Sequence, residues 1–146
     1  MSGMRISTDK AELDLPLIHR FLSTQAYWSL GIPEDTVARA VEGSLCFGGH
    51  VAGVGQVAFA RVVSDFATFA YLADVFVLPD YRGHGYSKQL VAAVMMHPQL
   101  QGLRRFMLAT SDAHGLYAQY GFATPTNPQT LMEVLRSNPY TETKTA

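Results

Sequence analysis

Arg82-Gly83-His84-Gly85-Tyr86-Ser87 is the stretch of this chain whose residue types and spacing could handle a charged ligand. Two glycines one residue apart let backbone N–H groups turn outward at close range, and Arg82 sets a guanidinium beside them. That combination suits a phosphate or a diphosphate. Before it, Val75-Phe76-Val77-Leu78 reads as buried strand, and Pro79 ends the strand because it has no N–H to give to a ladder. After it, Leu90, Val91, Val94 and Met95 recur at helical spacing. Strand, glycine turn and helix N-terminus would aim unpaired N–H groups and the positive end of a helix dipole at an anion. The plainer reading is a tight strand-to-helix turn with no ligand; Arg82 favours the anion.

A second glycine pattern, Gly53-Val54-Gly55-Gln56-Val57-Ala58, fits the dinucleotide fingerprint G-x-G-x-x-[G/A]. That motif needs a helix after it, and Val57 to Val63 is β-branched and strand-like instead. The two glycines are read as a hairpin turn, not as a nucleotide site.

The elements that must position the anion site follow from periodicity and punctuation. A short edge strand is read over residues 4–7. A helix over 13–22 has Pro16 in its first turn, and Pro33 opens a second over 34–42 with its acids at the start. Strands over 44–48 and 56–63 form a hairpin, and a third, central strand lies within 66–78. The helix after Gly85 runs to about 97, where Pro98 breaks it. A strand over 104–110 follows, then a helix over 113–120 with Asp112 as N-cap and Gly121 beyond its end. Residues 131–135 are read as a final strand, and the polar end from about 138 as frayed.

Composition bounds the rest. The 146 residues, 48% hydrophobic, suffice for one domain over 1–146 with one core. A net charge of −1 gives no mark of nucleic-acid binding. Charged residues make up only 16%, which leaves an apolar surface suited to a homodimer. The single cysteine, Cys46, leaves no internal disulfide, and no Cys/His cluster suggests a metal. With no apolar run of about 18 residues and no signal-like N-terminus, a soluble cytoplasmic protein without membrane association is expected.

The run V-x-P-x-x-R-G-x-G-x-S from Val77 resembles the acyl-CoA-binding signature of the GNAT superfamily of N-acetyltransferases. Its core is [R/Q]-x-x-G-x-[G/A], and Arg82, Gly85 and Ser87 take those three places, Ser87 standing for the usual Gly or Ala. Leu116-Tyr117-Ala118-Gln119-Tyr120-Gly121-Phe122 resembles the family's L-Y-x-x-x-G-F. The order β-α-α-β-β-β-α-β-α-β is similar to the superfamily's α/β fold. That fold is a central mixed sheet splayed between two parallel strands and flanked by about four helices. The resemblance implies acetyl-CoA as cosubstrate and no metal. It implies that the backbone of Arg82, Gly83, His84, Gly85, Tyr86 and Ser87 binds the pyrophosphate. Main-chain groups of Val75, Phe76 and Val77 would serve the pantetheine arm and the acetyl carbonyl. Thr110 stands where many relatives carry an Asn that touches that arm. Tyr117 would protonate the departing sulfur, a transfer from a phenol of pKa about 10 to a thiolate of about 8.5, uphill by about 2 kcal/mol.

An attacking amine must be neutral, whereas a lysine-like amine of pKa about 10.4 is mostly protonated at pH 7. Asp74 is the leading base: alternation sets it on the face of Leu72 and Phe76, where apolar neighbours would favour its proton. A solvated or salt-bridged aspartate is an equal reading. His114 is the alternative, a water chain another, with Asp65 and His19 behind. Tyr27, Trp28, Phe66, Phe69 and Tyr71 are aromatics for an acceptor pocket, Trp28 first, with Tyr27 and Tyr71 beside it. The expected reaction is acetyl transfer to a primary amine, small-molecule or protein, by direct attack in a ternary complex. The alternatives are a coenzyme A (CoA)-binding regulatory module without turnover, and a phosphate binder unrelated to CoA.

Overall fold

A computed structural model describes residues 3–136 and 139–140. Among the described residues, five strands form one sheet in the order β1-β2-β3-β4-β5: β1 Met4–Ser7, β2 Leu45–Val51, β3 Gly55–Ser64, β4 Phe69–Val77 and β5 Arg105–Leu108. The first three pairings are antiparallel and β4 with β5 is parallel. Four helices flank the sheet: α1 Leu15–Thr24, α2 Glu34–Glu42, α3 Tyr86–Met96 and α4 His114–Ala118. No helix among the described residues is long and apolar enough to cross a membrane.

Two apolar clusters lie on opposite faces of the sheet. On one, α1 presents Ile18, Phe21 and Leu22, and α2 presents Val37 and Val41, against Cys46, Phe59 and Phe76. Their three- and four-residue spacings put them on one stripe of each helix. Phe21 stacks on Phe76 with ring centroids 4.1 Å apart, fixing α1 over β4. On the other face, Leu90, Val91 and Val94 of α3 pack on Ala58, Ala60, Val62, Ala70, Leu72 and Val77. Each fully buried Leu or Val contributes about 1.5–3 kcal/mol, so α3 is held by its apolar stripe, not by its unsatisfied N-terminus.

Several sequence expectations need correction. Helix α1 starts at Leu15, because the Asp14 side chain accepts from Leu17 N at 3.1 Å and caps it. Strand β4 does lie within the expected 66–78 and starts at Phe69, because the Asp65 carboxylate accepts from Ala67 N, Thr68 N and Phe69 N, with Phe66 at φ 60°, and that turn uses up residues 65–68. Asp112 does not cap α4. Ala113 holds that position, and Thr110 Oγ1 accepts from Ala113 N at 3.1 Å and Asp112 N at 3.4 Å, so the helix is short. Residues 131–136 form no strand; they have no regular structure and are exposed. The frayed end expected from 138 lies mostly outside the described residues.

Asp74 does not share a face with Leu72. Pairing runs from Val62↔Leu72 and Arg61↔Ala73 to Phe59↔Phe76 and Ala58↔Val77, so β4 carries one residue more than β3 between Ala73 and Phe76. Asp74 sits in this bulge at φ 55°, a left-handed conformation unusual for a residue other than glycine. The bulge breaks the two-residue alternation. Leu72, Val75 and Val77 therefore face α3, while Asp74 and Phe76 turn to the side of α1 and α2.

Candidate active site

Parallel pairing between β4 and β5 begins at Phe69↔Arg105 and ends at Leu72↔Leu108. Residues 73–77 of β4 continue without β5 beside them, and the two strands part into a gap. Beyond its end, Pro79–Tyr81 makes one 3₁₀ turn, and the chain enters the stretch 82–88.

Gly83 has φ 84° and Gly85 has φ 77°, and Gly85 is the N-cap of α3. A Cβ at either would meet nothing within 4 Å, so glycine is needed there for backbone conformation and leaves open space in front. The first bond into α3 runs from Gln89 N to Gly85 O. Backbone N–H groups of residues 83–88 have no acceptor among the described residues. They form a concavity of donors at the positive end of a three-turn helix, the geometry of an anion nest. A cavity of about 220 Å³ opens there, lined by Val77, Tyr81, Arg82, Gly83, Gly85, Tyr86, Ser87, Lys88 and Leu116.

Side chains around the nest hold its shape. Arg82 Nε donates to Val77 O at 3.0 Å, which ties the loop to the end of β4 and leaves the terminal nitrogens for an anion. His84 Nδ1 lies 3.0 Å from Arg82 O, and its ring stacks on Tyr86. Tyr120 Oη donates to Lys88 O at 3.0 Å and docks α4 against the start of α3.

Tyr117 packs in the same apolar cluster as α3 and meets Phe122 edge-on, with ring centroids 6.1 Å apart. Tyr117 is 8% exposed, and no hydrogen bond to its hydroxyl is recorded among the described residues. The turn after it closes through Phe122 N to Tyr117 O at 3.3 Å, with Gly121 at φ 93°. Burial first, then Asp112 and Tyr27, push the Tyr117 phenol above its ordinary pKa, so it keeps its proton. Thr110, two residues beyond β5, uses its oxygen lone pairs on the turn into α4 and retains a hydroxyl proton to donate.

On the opposite face, a second cavity of about 250 Å³ lies between α1, α2 and the sheet, and Trp28, Thr36, Arg61, Asp74 and Tyr140 are among the residues that line it. Asp74 is not isolated among apolar groups. Its Oδ1 accepts from Trp28 Nε1 at 2.8 Å and its Oδ2 from Arg61 Nε at 2.9 Å. This ion pair is largely buried, with side chains 12% and 19% exposed. Tyr27 packs edge-on against Trp28 at 5.0 Å and accepts from Ser111 Oγ at 2.8 Å. The loop after α1 therefore straps β4, through Asp74, to the segment after β5, through Ser111.

The other named residues separate cleanly. His114 is exposed, and no hydrogen bond of its ring is recorded among the described residues. His19 is spent on Ile32 O at 2.9 Å. Asp65 is a turn residue whose carboxyl is held well below the usual range by Thr68, Ala67 and Phe69. Tyr71 does not line the cavity that Trp28 lines. Arg61 and Ser111 went unnamed in the sequence. Arg61 could have been found as the one charge in Val57-Ala58-Phe59-Ala60-Arg61-Val62-Val63, since a charge in a buried strand requires a partner. Ser111 carried no such signal.

Known proteins share this fold. A crystal structure of a Xanthomonas campestris pv. campestris protein assigned as a GNAT-family acetyltransferase matches with a TM-score of 0.94. It is 61% identical, over 97% of this chain and 99% of that one. A Gibberella zeae protein named as an acetyltransferase is 33% identical over 135 residues, 78% of this chain and 75% of its own length. In fold alone, a Clostridium acetobutylicum acetyltransferase structure with acetyl-CoA matches at a TM-score of 0.67 and 15% identity, covering 92% of this chain and 96% of that one. The family model described as an acetyltransferase (GNAT) domain matches residues 42–124, more than half of the 146. By its nest, its parted parallel strands and these matches, the chain belongs to the GNAT family of acetyltransferases.

Proposed function

We propose that this protein is an acetyl-CoA-dependent N-acetyltransferase acting on a primary amine by direct attack in a ternary complex. The observation that carries the reading is the set of N–H groups at 83–88 without an acceptor among the described residues, facing open space at the end of β4, together with a buried, protonated tyrosine in the helix after β5. Acetyl-CoA, when bound, supplies the activated acyl group; this chain supplies binding, positioning and a proton. Backbone donors from Gly83 to Lys88, with the terminal nitrogens of Arg82, hold the diphosphate. Residues 73–77 of β4 offer ladder groups to the pantetheine amides, and Thr110 offers its hydroxyl proton. Tyr117 gives its proton to the sulfur as the carbon–sulfur bond breaks and the carbon–nitrogen bond forms. The raised phenol is a weaker acid, but the same burial raises the thiol's pKa, which keeps the transfer near balance.

The acceptor enters from the cavity beside Trp28, under the strap made by Tyr27. Asp74, on the rim, has a lone pair left on each oxygen after its bonds to Trp28 and Arg61. It can hold an arriving ammonium and accept the proton that must leave the nitrogen before its lone pair attacks the acyl carbon.

A second reading, a CoA-binding module without turnover, draws on one observation: Asp74 is tied into an ion pair and His114 is exposed. Release of free thiol separates the two when acetyl-CoA is mixed with a panel of primary amines. Cys46 is buried, and burial pushes its thiol up to about 11, so it adds little background to a thiol reagent. Amine-dependent thiol release is expected. CoA binding with no release for any amine would support the module and overturn the enzyme.

A further inference from the structure

The cavity of about 250 Å³ on the α1 and α2 side of the sheet has a graded lining. Trp28 is 46% exposed, whereas Leu22 is 2% exposed, Val37 1% and Phe59 0%. Hydrocarbon therefore forms the floor, and the indole stands at the mouth. Val41 of α2 and Ile32 of the loop before it extend the apolar wall. An apolar body seated there would take hydrocarbon out of water, which favours binding.

Charge enters this lining at one place. Among the described residues, Asp74 is its one carboxylate and Arg61 its one guanidinium, and they pair at 2.9 Å. Several donors around the cavity already have acceptors. Trp28 Nε1 and Arg61 Nε donate to Asp74, Arg61 Nη1 donates to Ser44 Oγ at 3.2 Å, and Ser29 Oγ donates to Leu22 O at 2.7 Å. What the charged pair still offers is acceptor capacity, a lone pair on each Asp74 oxygen.

We propose that this cavity selects a compact apolar monoamine, with its one ammonium on Asp74 and its hydrocarbon body on Leu22, Val37, Val41 and Phe59. A second ammonium would lie among buried hydrocarbon with no second carboxylate to meet it, and desolvation penalises that strongly. A body rich in hydroxyls would leave its O–H groups unpaired on the same floor. A carboxylate next to the amine would meet Asp74 at like charge. Polyamines, polyhydroxylated amines and free amino acids are therefore disfavoured, each by a different feature of the lining. That the bound amine accepts the acetyl group rests on the acetyl-transfer reading; that it binds here does not.

Trp28 is the single tryptophan of the chain, so tryptophan fluorescence reports on this cavity without any turnover. Titration of the full chain with isopentylamine should give a saturable change, matched by calorimetry. Related compounds alter one feature each: isopentyl alcohol lacks the ammonium, diaminobutane carries an ammonium at both ends, and leucine adds a carboxylate. Each should bind more weakly by about tenfold or more. Asp74→Asn keeps a residue type that tolerates the left-handed backbone at this position, and it should remove the preference for the amine over the alcohol. Equal or tighter binding of the diamine or of leucine would overturn the proposal, as would no saturable binding of isopentylamine by either measurement. Isopentylamine binding without thiol release from acetyl-CoA would keep this site and remove the enzyme. Thiol release driven best by diamines or amino acids would keep the enzyme and overturn the selection proposed for this site.

Discussion

In the proposed reaction, Tyr117 is the group that gives its proton to the sulfur. Its phenol is buried, faces Asp112 and Tyr27, and is raised in pKa by all three, in that order. A raised folded-state pKa means that the folded chain holds this proton more tightly than the unfolded one. The associated stability is complete below about pH 10 and fades as pH climbs through the folded value. In catalysis the same sign applies: the acid form persists through neutral and mildly alkaline solution. The plot of kcat against pH should therefore show no alkaline fall below about pH 10. Its rise from the acid side should follow loss of the acceptor's proton. A fall centred near pH 8 or 9 would assign the acid to another group. Tyr117→Phe should lower kcat by about 100-fold and leave CoA affinity unchanged, as measured by steady-state kinetics beside equilibrium titration. An unchanged kcat would remove Tyr117 from the mechanism.

Gly83 and Gly85, at element scale, turn a strand end into a binding surface. Gly85→Ala meets no steric obstacle, yet forces a Cβ onto φ 77° at the cap of α3, a strain of about 1–2 kcal/mol. Thermal unfolding should register that loss. CoA affinity should fall by about tenfold or more, because relaxing the strain turns the N–H groups of 83–88 away from the ligand. Equal CoA affinity in the variant would contradict the nest. This element was legible in the sequence, since a proline stop, a Gly-x-Gly turn and a helical stripe are local signals. The bulge at Asp74 was not. Strict alternation set Asp74 with Leu72, and nothing local in Leu72-Ala73-Asp74-Val75 announces an inserted residue. What fixes it is Trp28, Arg61 and the register with β3, all distant in sequence. Asp112 misled for a related reason. It is a good capping residue by type, but Thr110 took the turn's N–H groups first.

Over the whole molecule, the two clusters clamp the sheet from both faces, with the gap between β4 and β5 left at one end. The order of elements as far as α4 could be read from the chain because each strand and helix carries its own period, whereas the parallel crossover into β5 was implied by the family resemblance. The apolar run at 131–135 has strand composition, yet among the described residues no strand edge takes it up, because composition does not supply a pairing partner. All of the functional account rests on one physical claim, that free backbone donors after Pro79 hold a diphosphate while the parted strands admit its pantetheine arm. Calorimetric titration with CoA and, separately, with pantetheine tests it most directly. The account predicts one CoA bound per chain and binding weaker by orders of magnitude once the phosphates are gone. No heat with CoA, or equal affinity for pantetheine, would contradict it.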